Sequence, residues 1–146
     1  MKERYQFIAA VYLLLRKENQ ILLLKRENTG YEDGNYSLVA GHMDGNETIK
    51  QAMIREAKEE AGIIIKEDDI EIVTFLHRKT NPERLDFFLS CEKWSGDIEN
   101  KEPNKCSELK WYDINHLPSN VIPCVKKAIE NYQKGILFDN FGFGDN

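Results

Sequence analysis

The chain is poor in several features that mark large classes of protein. It has three cysteines, Cys91, Cys106 and Cys124, far apart and without a CxxC pair. That spacing speaks against a disulfide framework or a zinc site and fits a reducing, cytoplasmic setting. No long run of Lys and Arg occurs, and the formal net charge is -5. A grip on polymeric nucleic acid is therefore not expected, because it needs clustered cations. Small anionic substrates stay open, since a metal ion can bridge an acidic site to a phosphate. The apolar run Phe7 to Leu15 follows Lys2 and Arg4 as in a secretory leader, but Arg16-Lys17-Glu18 comes next with no small-residue cleavage site. The run is also too short to span a membrane and reads as a buried strand. There is no internal repeat and no linker, so the 146 residues are expected to form one domain, 1–146.

What is present alternates between strand and helix patterns. Phe7 to Leu15 and Ile21 to Lys25 form a strand pair joined by a turn at Lys17-Glu18-Asn19-Gln20. A loop of turn formers, Asn28 to Asn35, leads to a short strand at Tyr36 to Val39. A helix is expected from about Glu47 to Ala61, capped by Asp44 or Asn46 and ended by Gly62. Ile63 to Ile65, Ile70 to His77, Leu85 to Glu92 and Leu109 to Tyr112 read as strands, with a loop from Trp94 to Asn104. A second helix spans Val121 to Lys134, with Ile122, Val125, Ile129 and Tyr132 at helical spacing. The tail from about residue 136 is expected to be partly mobile. Strands interleaved with two helices predict an α/β domain with a mixed sheet.

The first helix carries misplaced carboxylates. On a helical wheel Ile49, Ala52, Met53 and Ala57 share one face. Glu56 and Glu60 continue that stripe, while Glu59 and Arg55 flank it. Three acids at this spacing repel one another and sit at the negative end of the helix dipole. A sequence selected for stability alone would place Lys or Arg there. The cluster therefore points to a bound cation, and oxygen-only donors select Mg²⁺, with Mn²⁺ as an alternative. A solvated face with Arg55 paired to Glu59 is the competing reading. The inward direction of Glu56 and Glu60 weighs against it, because a buried unpaired carboxylate is costly.

The wider segment runs Gly41, five residues, Glu47, seven residues, then Arg55-Glu56-Ala57-Lys58-Glu59-Glu60-Ala61-Gly62-Ile63. Over these 23 positions it resembles the Nudix box at every fixed position. The resemblance implies an α/β/α sandwich around a mixed β-sheet. It implies a metal-dependent hydrolase that cleaves a diphosphate bond in a nucleoside diphosphate linked to another moiety. Carried over residue by residue, Glu56, Glu59 and Glu60 would bind metal, with the Gly41 carbonyl as a backbone ligand and one glutamate as base. Arg55 would orient Glu59, and Glu47 would support the loop. Glu102, in the loop before the Trp111 strand, is a candidate for a further metal-binding acid. Arg26, Arg78, Arg84 and Lys105 are candidate phosphate contacts, and Tyr31, Tyr36, Phe87, Trp94 and Tyr112 are candidate stacking residues for an aromatic group. A homodimer is expected by analogy alone.

Two departures qualify the match. Many relatives have Pro-Gly-Gly before the helix, where this chain has Val39-Ala40-Gly41-His42. The stretch SQPWPFPxS, which marks NADH-cleaving relatives, is absent from the sequence. The competing function is a catalytically silent ligand-binding or regulatory domain on the same fold. Against it stands the intact glutamate set.

Overall fold

β1 (Ile8–Lys17) supplies two cores at once. Val11, Leu13 and Leu15 enter one cluster and Ala10, Tyr12 and Leu14 the other. Alternate side chains of a strand point to opposite faces, so an unbroken apolar run means burial on both. The first core packs against Ala52, Met53 and Ala57 of helix α1 (Ile49–Ala61). The second packs against Val125, Ala128 and Ile129 of helix α2 (Pro123–Lys134). The result is an α/β/α sandwich with β1 at its centre. The structure, a computed structural model, describes residues 2–144.

The other strands are β2 (Gln20–Arg26), β3 (Tyr36–Ser37), β4 (Val39–His42), β5 (Glu71–Arg78), β6 (Arg84–Cys91), β7 (Cys106–Asp113) and β8 (Phe138–Phe141). The sheet runs β3-β2-β1-β6-β5-β8, with β4 also on β1 and β7 also on β2. It is mixed: β1 runs parallel to β6 and antiparallel to β4. The expected β1–β2 pair forms, but only at Arg16↔Ile21 and Lys17↔Gln20. Beyond the turn β2 diverges and pairs along its length with β7. That divergence opens a cleft beside β4, between the two halves of the sheet.

Three local expectations change. The N-cap of α1 is Thr48, not Asp44 or Asn46. Its hydroxyl accepts from Gln51 N while the Gln51 side chain accepts from Thr48 N, so two orphan donors are satisfied reciprocally. Ile63 to Ile65 is not a strand of its own, and only Ile64 bridges, to Ser95. The tail holds an edge strand, β8, parallel to β5 from Phe75↔Phe138 to Arg78↔Phe141. Residues 145 and 146 of that tail lie outside the described residues. Gly62 does end α1, at φ 68°, where its N–H reaches the Ala57 and Lys58 carbonyls.

Candidate active site

The loop from β4 to α1 is tied to the helix by one guanidinium. Arg55 donates to Glu47 through Nε at 3.1 Å and Nη2 at 2.7 Å, a bidentate pair. Its Nη1 donates to Glu56 at 2.6 Å and its Nη2 to the His42 carbonyl at 3.2 Å. Glu47 in turn accepts from Asp44 N at 3.0 Å. These bonds, from Arg55 first, hold the Glu47 carboxyl down at about 2. Glu59 stands further from Arg55, at 3.5 Å, and is exposed.

Glu56 and Glu60 face inward, one helical turn apart. Glu56 is buried against Gly41, so closely that a Cβ at position 41 would lie 2.1 Å from its carboxyl carbon. A side chain there would displace the Glu56 carboxyl, so glycine is favoured by contact rather than by its backbone angles. Burial pushes the Glu56 carboxyl up, against the pull of Arg55. Glu60 accepts one hydrogen bond, from Ala40 N at 2.9 Å. Burial, with the nearby Glu56 and Glu102 charges, raises it to about 8. Oxygen donors crowded together with so few partners suit a hard divalent cation. Among the described residues no three acid, histidine or cysteine side chains are placed together to hold a metal ion. Glu56 is turned onto Arg55 and Glu60 onto the Ala40 amide.

Glu60 opens into a cleft of about 460 Å³ that is also lined by Arg26, Gly41, Asn100, Glu102 and Lys105. The cleft thus gathers Arg26 from the end of β2 and Glu102 and Lys105 from the loop before β7 around one helical acid. The Glu102 loop is held by Asn100, whose side chain accepts from Glu102 N and donates to the Cys106 carbonyl.

Next to this cleft, across Ala40, Gly41 and His42, lies a second cavity of about 390 Å³ on the α2 face of the sheet. Arg84 lines it, with Nη1 3.2 Å from His42 Nε2. Tyr36 lines neither space. Its hydroxyl donates to Glu108 and accepts from Tyr112 on the β2–β7 side. Sequence inspection did not single out Asp86, which is fully buried between Arg78 (2.7 Å) and Arg84 (3.2 Å). The available signal was an acid inside the apolar stretch Leu85-Asp86-Phe87-Phe88-Leu89.

Fold and site together define a mixed-sheet α/β/α sandwich with an Arg-braced acidic helix beside a cleft lined by both acids and bases. A model of the NUDIX domain matches residues 5–132. The chain belongs to the Nudix hydrolase family. It is 28% identical over 131 residues to an ADP-ribose pyrophosphatase of Methanocaldococcus jannaschii, covering 86% of this chain and 72% of that protein. It is 31% identical over 124 residues to the NAD-capped RNA hydrolase NudC of Shigella dysenteriae. That match covers 84% of this chain but 46% of the relative, so the chain spans about half of that protein's length. The MutT NUDIX hydrolase structure from Burkholderia pseudomallei superposes with a TM-score of 0.78 at 23% identity, over 86% of this chain and 97% of the other. That likeness is one of fold.

Proposed function

We propose that the protein is a divalent-metal-dependent pyrophosphohydrolase acting on a nucleoside diphosphate linked to another moiety. The observation that carries this reading is the meeting of Glu60 with Glu102, Arg26 and Lys105 in one cleft, beside buried Glu56. The relatives' names, an ADP-ribose pyrophosphatase and an NAD-capped RNA hydrolase, support the same bond class. The absence of SQPWPFPxS gives no support to NADH as the compound cleaved.

Glu56, Glu59, Glu60 and Glu102, with the Gly41 carbonyl, would hold Mg²⁺ or Mn²⁺. When bound, such an ion neutralises charge that builds on the diphosphate oxygens and favours attack by water. The chain's own groups do the rest. Arg26, Lys105 and Arg84 hold phosphate oxygens and stabilise the leaving phosphate. Water adds to one phosphorus, the bridging P–O bond breaks, and one glutamate takes the water proton. Arg55 and Glu47 keep the Gly41 loop and Glu56 in register with each other.

The test is a Mg²⁺ assay over nucleoside triphosphates, nucleotide sugars, dinucleoside polyphosphates and ADP-ribose. Turnover of at least one, abolished by chelation, is expected. Folded, metal-loaded protein that cleaves none would favour the silent binding domain instead.

A further inference from the structure

The cavity on the α2 face extends beyond the groups placed on the diphosphate. Apolar walls from Ile8, Ala10, Ile122 and Val125 are joined by polar Ser37, Thr80 and Asn81, and three guanidiniums line it: Arg26 and the pair Arg78 and Arg84. Among the described residues no carboxylate lines it, because Asp86 is fully buried behind the two arginines. Asp86 neutralises one cation and fixes both. Arg78 is more than nine-tenths buried, and its Nη1 donates to the Cys124 sulfur at 2.7 Å. A thiol is a weak acceptor, so this donor is poorly satisfied where desolvation makes satisfaction matter most, although the Tyr31 side chain also hydrogen-bonds the same guanidinium. The Arg78 Nε lies 2.7 Å from Asp86 Oδ2 but off the hydrogen-bond axis. At the mouth, Tyr31 lies against the Arg26 guanidinium, 5.3 Å from ring centroid to carbon. The cavity adjoins the cleft along Ala40, Gly41 and His42.

From this geometry we infer that the cavity takes the base of the nucleotide and reads it with Arg78 as a specificity-determining residue. The preferred base is a 6-oxopurine of the guanine type. The inference rests on the hydrolase reading above. A buried guanidinium fork offers donors only. The O6/N7 edge of guanine offers two acceptors, whereas the matching edge of adenine pairs one acceptor with an amino donor. Adenine would thus set its amino donor against the guanidinium donors. Apolar walls suit the base faces, and Tyr31 is placed to cover them.

The test uses the intact protein with Mg²⁺ and nucleoside triphosphates that differ only in the base. GTP and ITP, which share O6 and N7, are expected to have similar kcat/KM. ATP and the 2-aminopurine analogue, which lack O6, are expected to fall by about ten- to a hundredfold, the worth of one bidentate contact. The 7-deaza analogue of GTP should lie between. In Arg78→Lys, which keeps the charge and loses the fork, the GTP/ATP ratio of kcat/KM should fall toward one. The analogue series on the unaltered protein decides the matter if that variant does not fold. ATP cleaved as well as GTP, or turnover confined to adenine compounds, overturns the inference and leaves the hydrolase reading intact. If no compound is cleaved, the hydrolase reading falls, and thermal stabilisation by GMP over AMP still tests the cavity. Equal stabilisation by GMP, AMP and inorganic phosphate would show a simple anion site and overturn it. The adenine in the compounds named for two relatives makes the expected ranking a discriminating one.

Discussion

Two clusters of charge lie in or beside the core of this protein, and they are built on different rules. On the α2 face, Asp86 sits between Arg78 and Arg84, so opposite charges are placed together. On the α1 side, Glu56, Glu60 and Glu102 share one sign, and Glu60 has a single hydrogen bond, from a backbone amide. The first arrangement sets two guanidiniums on one carboxylate and leaves Arg78 Nη1 on a weak sulfur acceptor, whereas the second gathers acids beside Arg55, Arg26 and Lys105. Under the proposed function, the difference is between charge that mainly holds the structure and charge that would take a cation. It is visible only once both desolvation and partners are counted.

The strongest way to break the contrast is to remove an acid from the second cluster. Glu60→Gln is expected to lower kcat on any accepted substrate by about a thousandfold, the scale of losing a principal site group, while the chelated protein keeps or gains stability. A steady-state assay beside a denaturant melt separates the two, and an active variant would remove Glu60 from the machinery. The converse change, Asp86→Ala, should cost stability first, about 3–5 kcal/mol, because two buried guanidiniums lose their shared partner. Urea unfolding measures it. A loss below about 1 kcal/mol would mean that solvent already reaches the pair.

Gly41→Ala is a smaller intervention. Its Cβ would occupy the space of the Glu56 carboxyl, which must then leave Arg55. Activity should fall by about a hundredfold with little change in melting temperature, since a flexible side-chain end is what moves. Acidity sharpens the comparison further. In chelated protein Glu60 keeps its proton up to about 8, whereas an ordinary glutamate releases it near 4.5. Between those values the folded state holds a proton that the unfolded chain has lost. Stability should therefore be full below the lower value and decline as pH rises through the upper one. The melting temperature without metal is expected to drop between about pH 5 and about pH 8. The drop should be reduced in Glu60→Gln and offset by added Mg²⁺. A flat profile in the chelated wild type would show that the site admits enough water to ionise freely. The smallest effect belongs to Thr48→Ala, which removes one half of the capping box and should cost about 1 kcal/mol by thermal melt.

Much of this architecture is legible in the sequence where information is local. The run from Phe7 to Leu15 reads as a strand buried on both faces, and the helix with its Gly62 terminus follows from spacing. The family of the chain follows from the Gly41-to-Ile63 pattern. The inward turn of Glu56 follows from the helical period alone. Other features depend on closure between distant segments. That Glu102, Arg26 and Lys105 share a cleft is decided by β2 leaving β1 after two rungs. Thr48 with Gln51 three residues on is a capping-box spacing present in the sequence, beside Asp44 and Asn46, which rank higher as cap residues taken singly. Tyr36 has the right chemistry for stacking but the wrong address, since its strand turns it toward Glu108 and Tyr112. β8 lacks a strand-like pattern because an edge strand with little burial needs none.

The two-sided strand at the centre has one further consequence. Val11 belongs to the wall behind the acidic helix, and the next residue, Tyr12, stacks on Phe88 beside the arginine pair. A slip of one residue in β1 would exchange the tenants of the two rooms. It would send the phenol toward the helix and an aliphatic side chain toward the guanidiniums. The parallel ladder from Ile8↔Arg84 to Leu15↔Cys91 is thus a molecular vernier. By fixing one alignment, it sets both the cavity floor and the seat of the helix.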